Sequence, residues 1–283
     1  MRKLFIDIGG THLRSELIDE AESFSEICSS KEVPLMAYVE EKLARYDDIG
    51  FVGIAYAGQV HEGVILSAPN IAVDEPQIKK TVAERYGVRL EIDNDLNCAL
   101  LAEANEWNVQ NMAALYVGTG IGAAVMEKGK VIRGSRNLAF EIGHIPYRQT
   151  PFTCGCGRNN CIELFASGSG IAKQLYPYDE NRRIDLSMLS RSQIENERRV
   201  AEEFETALVH AAGTLVTLAN PELIVLGGGI IEHNPYLLDR LREKIASYAL
   251  GASLERLRIE RSRLENAPLS GAKLLEKEET WNH

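Results

Sequence analysis

The sequence has no excess of basic charge. Its 283 residues carry 31 Lys and Arg against 41 Asp and Glu, a formal net charge of −10. That argues against general binding to nucleic acid or to an anionic membrane, which needs a basic surface. It leaves room for an anionic ligand held by local backbone donors. No stretch approaches the ~18 apolar residues of a membrane span. The N-terminal MRKLFIDIGG has too short an apolar run for a secretory signal. No GxxxxGKS or GxxxxGKT is present, so a P-loop nucleotide site is not expected. Cysteine is scarce: of five, only Cys28 and Cys98 lie outside one short cluster. An odd count with a cluster suits a reducing compartment better than a disulfide scaffold, and a cytoplasmic protein is expected. A composition 45% hydrophobic and 25% charged is ordinary for a globular protein, and the length suggests about two domains.

The cluster lies in EIGHIPYRQTPFTCGCGRNNCIE, Glu141 to Glu163. His144, Cys154, Cys156 and Cys161 are an imidazole and three thiols, a common closed tetrahedral set for zinc. Gly155 and Gly157 let the loop turn tightly enough for Cys154 and Cys156 to reach one ion. Glu141 and Glu163 bracket the four.

The N-terminal half opens with an apolar run from Lys3 to Ile8, a break at Gly9-Gly10, and a second run from Leu13 to Ile18. This reads as a hairpin whose turn gathers Asp7, Gly9, Gly10 and Thr11. Such a turn can close backbone N–H groups on phosphate oxygens, and a carboxylate can hold magnesium. It also fits a plain glycine turn. Residues 20 to 48 are mixed and polar, with a helix expected from Leu35 to Tyr46. Gly50 to Tyr56 reads as a buried strand, Gln59 to Leu66 as a short hairpin, Ser67 to Asn70 as a loop, and Glu75 to Tyr86 as a helix capped by Gly87. A strand from Arg89 to Ile92 delivers Asp93, Asn94 and Asp95, and a helix follows from Leu96 to Trp107. Asp95 could accept a proton from a substrate hydroxyl and Asn94 could orient that substrate. The same pair also suits a turn or helix N-cap.

In the second half, the strand Ala113 to Val117 runs into Gly118-Thr119-Gly120-Ile121-Gly122, followed by a hairpin through Lys128-Gly129. The spacing fits GxGxxA, but a dinucleotide fold needs a helix straight after the glycines. The β-rich AAVMEKGKVIRG reads as strands instead. The two glycine hairpins look like two copies of one device, suggesting two similar domains. Beyond the cluster we expect helices at Ala166 to Leu175, Val200 to Leu218, Pro235 to Tyr248 and Leu269 to Glu278. Tyr176 to Arg199 reads as a solvated polar stretch. A strand at Glu222 to Leu226 leads into Gly227-Gly228-Gly229, open to a flat ligand such as adenine or simply a tight turn. Leu257 to Arg261 reads as an edge strand.

The order DxGGT, NDxN, GTGxG, ExGH, CxCGxxxCxE, LGGG resembles the ROK family of sugar kinases, open reading frames and repressors, over nearly the whole chain. The resemblance implies an α/β fold of two actin- or hexokinase-like (ribonuclease H-like) domains flanking an active-site cleft. The expected division is 1–98, with a C-terminal helix at about 268–283 packing back on it, and 99–267, which carries the loop 141–163. It implies phosphate contacts at Asp7, Gly9, Gly10, Thr11, Gly118, Thr119, Gly120 and Gly122, and an adenosine-side loop at Gly228 and Gly229, with Gly271-Ala272 near it. Asp95 matches the catalytic base. Asn94, Glu141, His144 and Glu163 match groups that hydrogen-bond sugar hydroxyls, as do Gly58 and Asn70. His144, Cys154, Cys156 and Cys161 match the zinc ligands. The implied chemistry is phosphorylation of a hexose, glucose first, by ATP with magnesium. N-acetylglucosamine, N-acetylmannosamine or fructose are the alternatives, and a non-catalytic sugar sensor is the reading from another class. A homodimer is a further expectation, with no nucleic-acid or membrane partner. Family repressors add an N-terminal helix-turn-helix, for which DIGGT at the start leaves no room, favouring a kinase.

Two departures stand out. Asn160 occupies the position of a family glycine, and asparagine tolerates the left-handed conformation. The usually glycine-rich stretch before ExGH reads Asn137-Leu138-Ala139-Phe140, which is expected to approach the sugar and bear on its identity.

Overall fold

The computed structural model describes residues 1–19, 22–68, 70–175 and 184–277. The chain forms two compact units: residues 1–107, 133–139 and 264–283, and residues 108–132 and 140–263.

The first unit is built on a five-stranded sheet. Its strands are β1 (Arg2–Ile8), β2 (His12–Ile18), β3 (Ser23–Ser29), β4 (Ile49–Tyr56) and β7 (Arg89–Asn94), in the order β3-β2-β1-β4-β7. A small hairpin of β5 (Gln59–His61) and β6 (Val64–Ser67) lies between β4 and β7 in sequence. β1 pairs antiparallel with β2 and parallel with β4. β1 alternates as a strand buried on both faces must. Leu4, Ile6 and Ile8 share a core with residues of α1 (Leu35–Arg45) and α2 (Ile78–Tyr86). Phe5 joins Phe51, Cys98 of α3 (Asp95–Trp107) and Leu269 of the closing helix (Ala267–Ala272) on the other face.

α3 and the closing helix approach closely because Gly271 has no side chain: a Cβ there would stand 1.7 Å from the Cys98 carbonyl oxygen. All of α3 therefore belongs to the first unit, whereas the sequence boundary at residue 98 cuts through it. The closing helix ends at Ala272 rather than running on, and the predicted end at Glu278 lies outside the described residues.

The second unit repeats the plan. Its strands are β8 (Met112–Val117), β9 (Ile121–Glu127), β10 (Lys130–Val131), β11 (Leu223–Gly227) and β12 (Arg258–Arg261), ordered β10-β9-β8-β11-β12. β8 is antiparallel to β9 and parallel to β11, which is parallel to β12. The two sheets thus share one strand order and one pattern of direction. In each, the glycine turn joins the central strand to its antiparallel neighbour. β9 follows its turn directly as a strand, which is why no dinucleotide-type helix forms there.

The remaining elements are α4 (Gly168–Leu175), α5 (Leu186–Ser190), α6 (Glu195–Ala219), α7 (Gly229–His233), α8 (Tyr236–Lys244) and α9 (Gly251–Leu254). The 25-residue α6 buries Phe204, Leu208, Ala211, Ala212, Leu215 and Val216, a stripe at helical spacing. Asn220 ends it in the left-handed conformation at φ 43°. The stretch read as solvated, Tyr176 to Arg199, holds α5 and the start of α6, and 176–183 lie outside the described residues. Pro69 of the Ser67 to Asn70 loop also lies outside them. Among the described residues no helix is long and apolar enough to cross a membrane.

Candidate active site

In the first unit β7 passes into α3 with no intervening loop, so Asn94 ends the strand and Asp95 opens the helix. The Asn94 Oδ1 accepts the N–H groups of Leu96 and Asn97 at 2.9 and 3.4 Å, which makes Asn94 the helix cap. Its Nδ2 donates to the Gly58 carbonyl at 3.1 Å. One side chain therefore joins two positions, 58 and 94, that sequence reading set side by side only by resemblance. Gly58 lacks a side chain because a Cβ would stand 2.6 Å from both the Ser67 carbonyl and the Tyr56 ring. Asp95 is half-buried, and its Oδ1 accepts the Leu96 N–H at 3.0 Å.

Beneath this corner lies Asp93, fully buried. Its Oδ1 accepts from the Asn94 N–H at 2.7 Å, from Asn97 Nδ2 at 3.0 Å and from Asn137 Nδ2 at 2.8 Å. Its Oδ2 takes both Nε and Nη2 of Arg133, at 3.1 and 2.8 Å. Asn137 is itself buried, at φ 57°, and also donates to the Val60 carbonyl. Phe140 has φ 60° and packs on the core of the second unit. The stretch 137–140 thus places its asparagine in a buried network and its phenylalanine on a core. Both residues thus hold the left-handed backbone that ordinarily favours glycine.

The first glycine turn is closed by Gly9 N–H donating to the His12 carbonyl at 2.9 Å. Gly10 faces Asn70, whose Cβ would stand 2.6 Å from a Cβ on Gly10. Thr11 is exposed at the tip. Asp7, just before the turn, is buried and accepts from Asn266 Nδ2 at 2.9 Å, with Arg14 Nη1 at 3.7 Å. Burial raises its pKa, against the pull of Asn266 and Arg14.

In the second unit, the turn Gly118 to Gly122 is closed by Gly118 N–H donating to the Gly120 carbonyl. Its outer side is held by the start of α4: Gly168 N–H donates to the Gly118 carbonyl and Ser169 N–H to that of Thr119, at 2.9 and 3.0 Å. The buried Ser167 Oγ donates to the Glu163 carbonyl at 2.7 Å and accepts from Gly170 N–H. Ser167 to Gly170 knit the cysteine loop to the glycine turn, a role the sequence reading missed. The alternation of serine and glycine at a helix start was its only local signal.

The side-chain ligand atoms of His144, Cys154, Cys156 and Cys161 all lie within 4.8 Å of one another. His144 Nδ1 is 3.6 Å from Cys154 Sγ, and Cys156 Sγ is 3.3 Å from Cys161 Sγ. A tetrahedral zinc with these donors would hold them about 3.5–3.8 Å apart, so the set fits. Arg158 donates to Cys156 Sγ and to the His144 carbonyl, at 3.5 and 2.8 Å. Beside that guanidinium the Cys156 thiol is lowered to about 6, which favours the thiolate a metal needs. Burial pushes Cys154 up to about 12. Gly157 takes φ 86°, as a tight turn requires. Asn160 does not adopt a left-handed φ, so the expected accommodation is not needed; its carbonyl accepts the Tyr147 N–H at 2.7 Å.

Glu163 is half-buried between the cluster and the turn: Oε1 accepts from the Cys154 thiol at 3.2 Å, and Oε2 faces Gly120. Glu141 precedes the short turn that carries His144. Partial desolvation raises its carboxyl, with His144 pulling down and Glu163 pushing up.

The sequence matches the ROK family over residues 4–279. The chain belongs to the ROK family. It is 27% identical over 286 residues to an N-acetyl-D-glucosamine kinase of Shigella boydii serotype 4, covering 91% of this chain and 93% of that one. It is 28% identical over 236 residues to a xylose repressor, itself an unconfirmed assignment, of Caldicellulosiruptor; the match covers 76% of this chain and spans 59% of that protein's length. The crystal structure of a ROK hexokinase from Thermus thermophilus superposes with a TM-score of 0.79 at 25% identity, covering 97% of each chain. Its fold is therefore the two-domain α/β fold of actin and hexokinase, as the two matched sheets indicate.

Within this ROK chain the remaining glycines divide by use. Gly228, at φ 88°, lies against the Val117 backbone, where a Cβ would stand 2.6 Å from the carbonyl oxygen. Gly229 opens α7, is exposed, and has nothing outside its own helix within 4 Å of where a Cβ would stand. Gly271 serves the packing of two helices in the first unit. Asn266, unremarked in sequence, caps the closing helix and holds Asp7.

Proposed function

We propose that this ROK-family sugar kinase transfers the γ-phosphoryl group of ATP, with magnesium, to a hexose, with glucose as leading substrate. The observation that carries the reading is the matched pair of glycine turns, at the same place in two sheets of the same order. Phosphoryl transfer passes through a loose transition state, so catalysis is largely positioning and charge stabilisation. Backbone N–H groups around Gly9, Gly10, Gly118, Thr119, Gly120 and Gly122, with the Thr11 hydroxyl, suit phosphate oxygens. Asp7 suits magnesium, directly or through water, and the open Gly229 suits the adenosine side. Asp95, on the first turn of α3, accepts the proton of the attacking sugar hydroxyl. Asn94 keeps one amide hydrogen beyond its bond to Gly58, and that hydrogen suits a sugar oxygen. Glu163 and Glu141 accept from sugar hydroxyls. Gly58 and Asn70 line the sugar side through the contacts that seat them on Asn94 and Gly10.

The cluster fits zinc. His144, Cys154, Cys156 and Cys161 would hold it with four protein ligands, so its part would be to organise the loop and fix the imidazole tautomer rather than to activate substrate. Because Nδ1 faces the cysteines, Nε2 of His144 is the nitrogen that donates to a sugar hydroxyl.

A second reading, an N-acetylglucosamine kinase, is favoured by the near full-length Shigella relative. N-acetylmannosamine and fructose use the same polar set. A non-catalytic sensor is the third, and the retained Asp95 speaks against it. A coupled ADP-release assay over a panel of hexoses, with ATP and magnesium, separates them. Turnover on glucose supports the leading reading, and turnover on an N-acetyl sugar alone moves the substrate. Sugar binding without turnover on any hexose moves the reading to a sensor or to a different phosphoryl donor.

A further inference from the structure

Nothing in the roles above uses Asp93, Arg133 or Asn137, yet the three form a densely bonded polar cluster. A carboxylate with no solvent exposure survives only if its charge is paired and its lone pairs are filled. Asp93 meets both conditions with partners far away in sequence. Arg133 grips Oδ2 through two nitrogens, a geometry that lysine cannot reproduce. Asn137 fills Oδ1 from one side and Asn97 from another, and Asn97 Nδ2 donates to the Asn137 Oδ1 at 2.9 Å. Residues 133–139 belong to the first unit although the residues flanking them belong to the second, and these bonds are what tie the segment there.

The third donor to Oδ1 gives the cluster a chemical meaning. It is the backbone N–H of Asn94, the residue that caps α3. The Asp93 carboxylate therefore fixes the peptide plane that leads into Asn94, one residue before Asp95. Asn97, one turn along α3, is held by the same oxygen. The corner has no loop to absorb a shift, since strand and helix are contiguous at residues 94 and 95.

We propose that Asn137 and Arg133, acting through Asp93, are positioning residues for the phosphoryl transfer. They hold the corner that aims the Asp95 carboxylate. The inference rests on Asp95 being the base. It also gives Asn137 a role in the rate of transfer. A base displaced by a fraction of an ångström loses rate while the sugar still binds.

The test is Asn137→Gly, which keeps the left-handed backbone available and removes the carboxamide. Arg133→Lys, which keeps the charge but not the fork, is the second variant. The expected result is a kcat about ten- to a hundred-fold lower for Asn137→Gly. Its sugar KM, calorimetric sugar affinity and binding stoichiometry stay within twofold of wild type, and Arg133→Lys falls between. A wild-type kcat in Asn137→Gly overturns the inference. So does a loss of kcat that merely follows a lower binding stoichiometry, which reports misfolded protein. Asp95→Asn, run in parallel, separates this inference from the reading beneath it. If Asp95→Asn is inactive and Asn137→Gly is normal, only the positioning role fails. If Asp95→Asn turns over normally, the base assignment fails and the positioning role with it.

Discussion

Glu163 lies directly against Gly120: a Cβ on Gly120 would stand 2.8 Å from Glu163 Oε2. The other carboxylate oxygen meets Cys154 at 3.2 Å. One side chain thus touches the glycine turn proposed for phosphate and the cluster proposed for zinc.

Gly120→Ala follows from that contact. Gly120 has no left-handed φ, so alanine suits its backbone, and the crowded atom is the movable end of a side chain. The fold should persist while the Glu163 carboxylate is displaced. Hydrogen bonds to a charged group contribute about 1.5–3 kcal/mol, so sugar affinity by calorimetry should fall about tenfold or more. Unchanged affinity would remove Glu163 from the sugar site.

Metal content tests the cluster. Purified protein should carry one zinc per chain, and Cys156→Ser should lose it with a melting temperature lower by about 5 °C or more. Zinc uptake displaces protons from thiols and imidazole, so affinity should fall as pH drops through about 6, where Cys156 in the metal-free loop takes up its proton. Full zinc content in Cys156→Ser, with unchanged melting, would contradict the site.

Asp7 gives a pH signature. Burial raises its carboxyl above the ordinary 3.8, so the folded chain binds that proton more tightly than the unfolded chain does. The stabilisation from the protonated form is fully present below pH 3.8. It is lost as pH rises through the folded pKa, leaving a charge that opposes folding at neutral pH. Asp7→Asn should therefore be more stable than wild type in urea at pH 7, with the difference shrinking toward pH 4, while phosphoryl transfer is lost. Lower stability than wild type at pH 7 would show that Asn266 and Arg14 outweigh the burial.

What was legible in the sequence was local. The strands around both glycine turns show as apolar runs broken by glycine, and His144 with three cysteines shows as spacing alone. The edge strand β3 was missed because Ser23 to Ile27 are exposed, leaving no buried face to print an alternation. The short α5 and α9 leave no mark in the sequence, because five and four residues are too few turns to show a period. The Asp93 cluster was invisible for another reason. Arg133 lies 40 positions away and Asn137 44, and no local pattern marks a side chain whose partner is supplied by the tertiary fold. Asn94 shows the limit from the other side. Its two readings, helix cap and ligand-binding amide, looked exclusive in sequence, but the cap uses its oxygen and leaves one amide hydrogen for a ligand.

The central claim is that Asp95 accepts the proton of a sugar hydroxyl during phosphoryl transfer. The most direct measurement is turnover and sugar binding in Asp95→Asn, an isosteric change that keeps the first turn of α3. We expect kcat to fall by about 10²–10⁴-fold, with sugar affinity by calorimetry within a few-fold of wild type. Turnover at the wild-type rate would contradict the account.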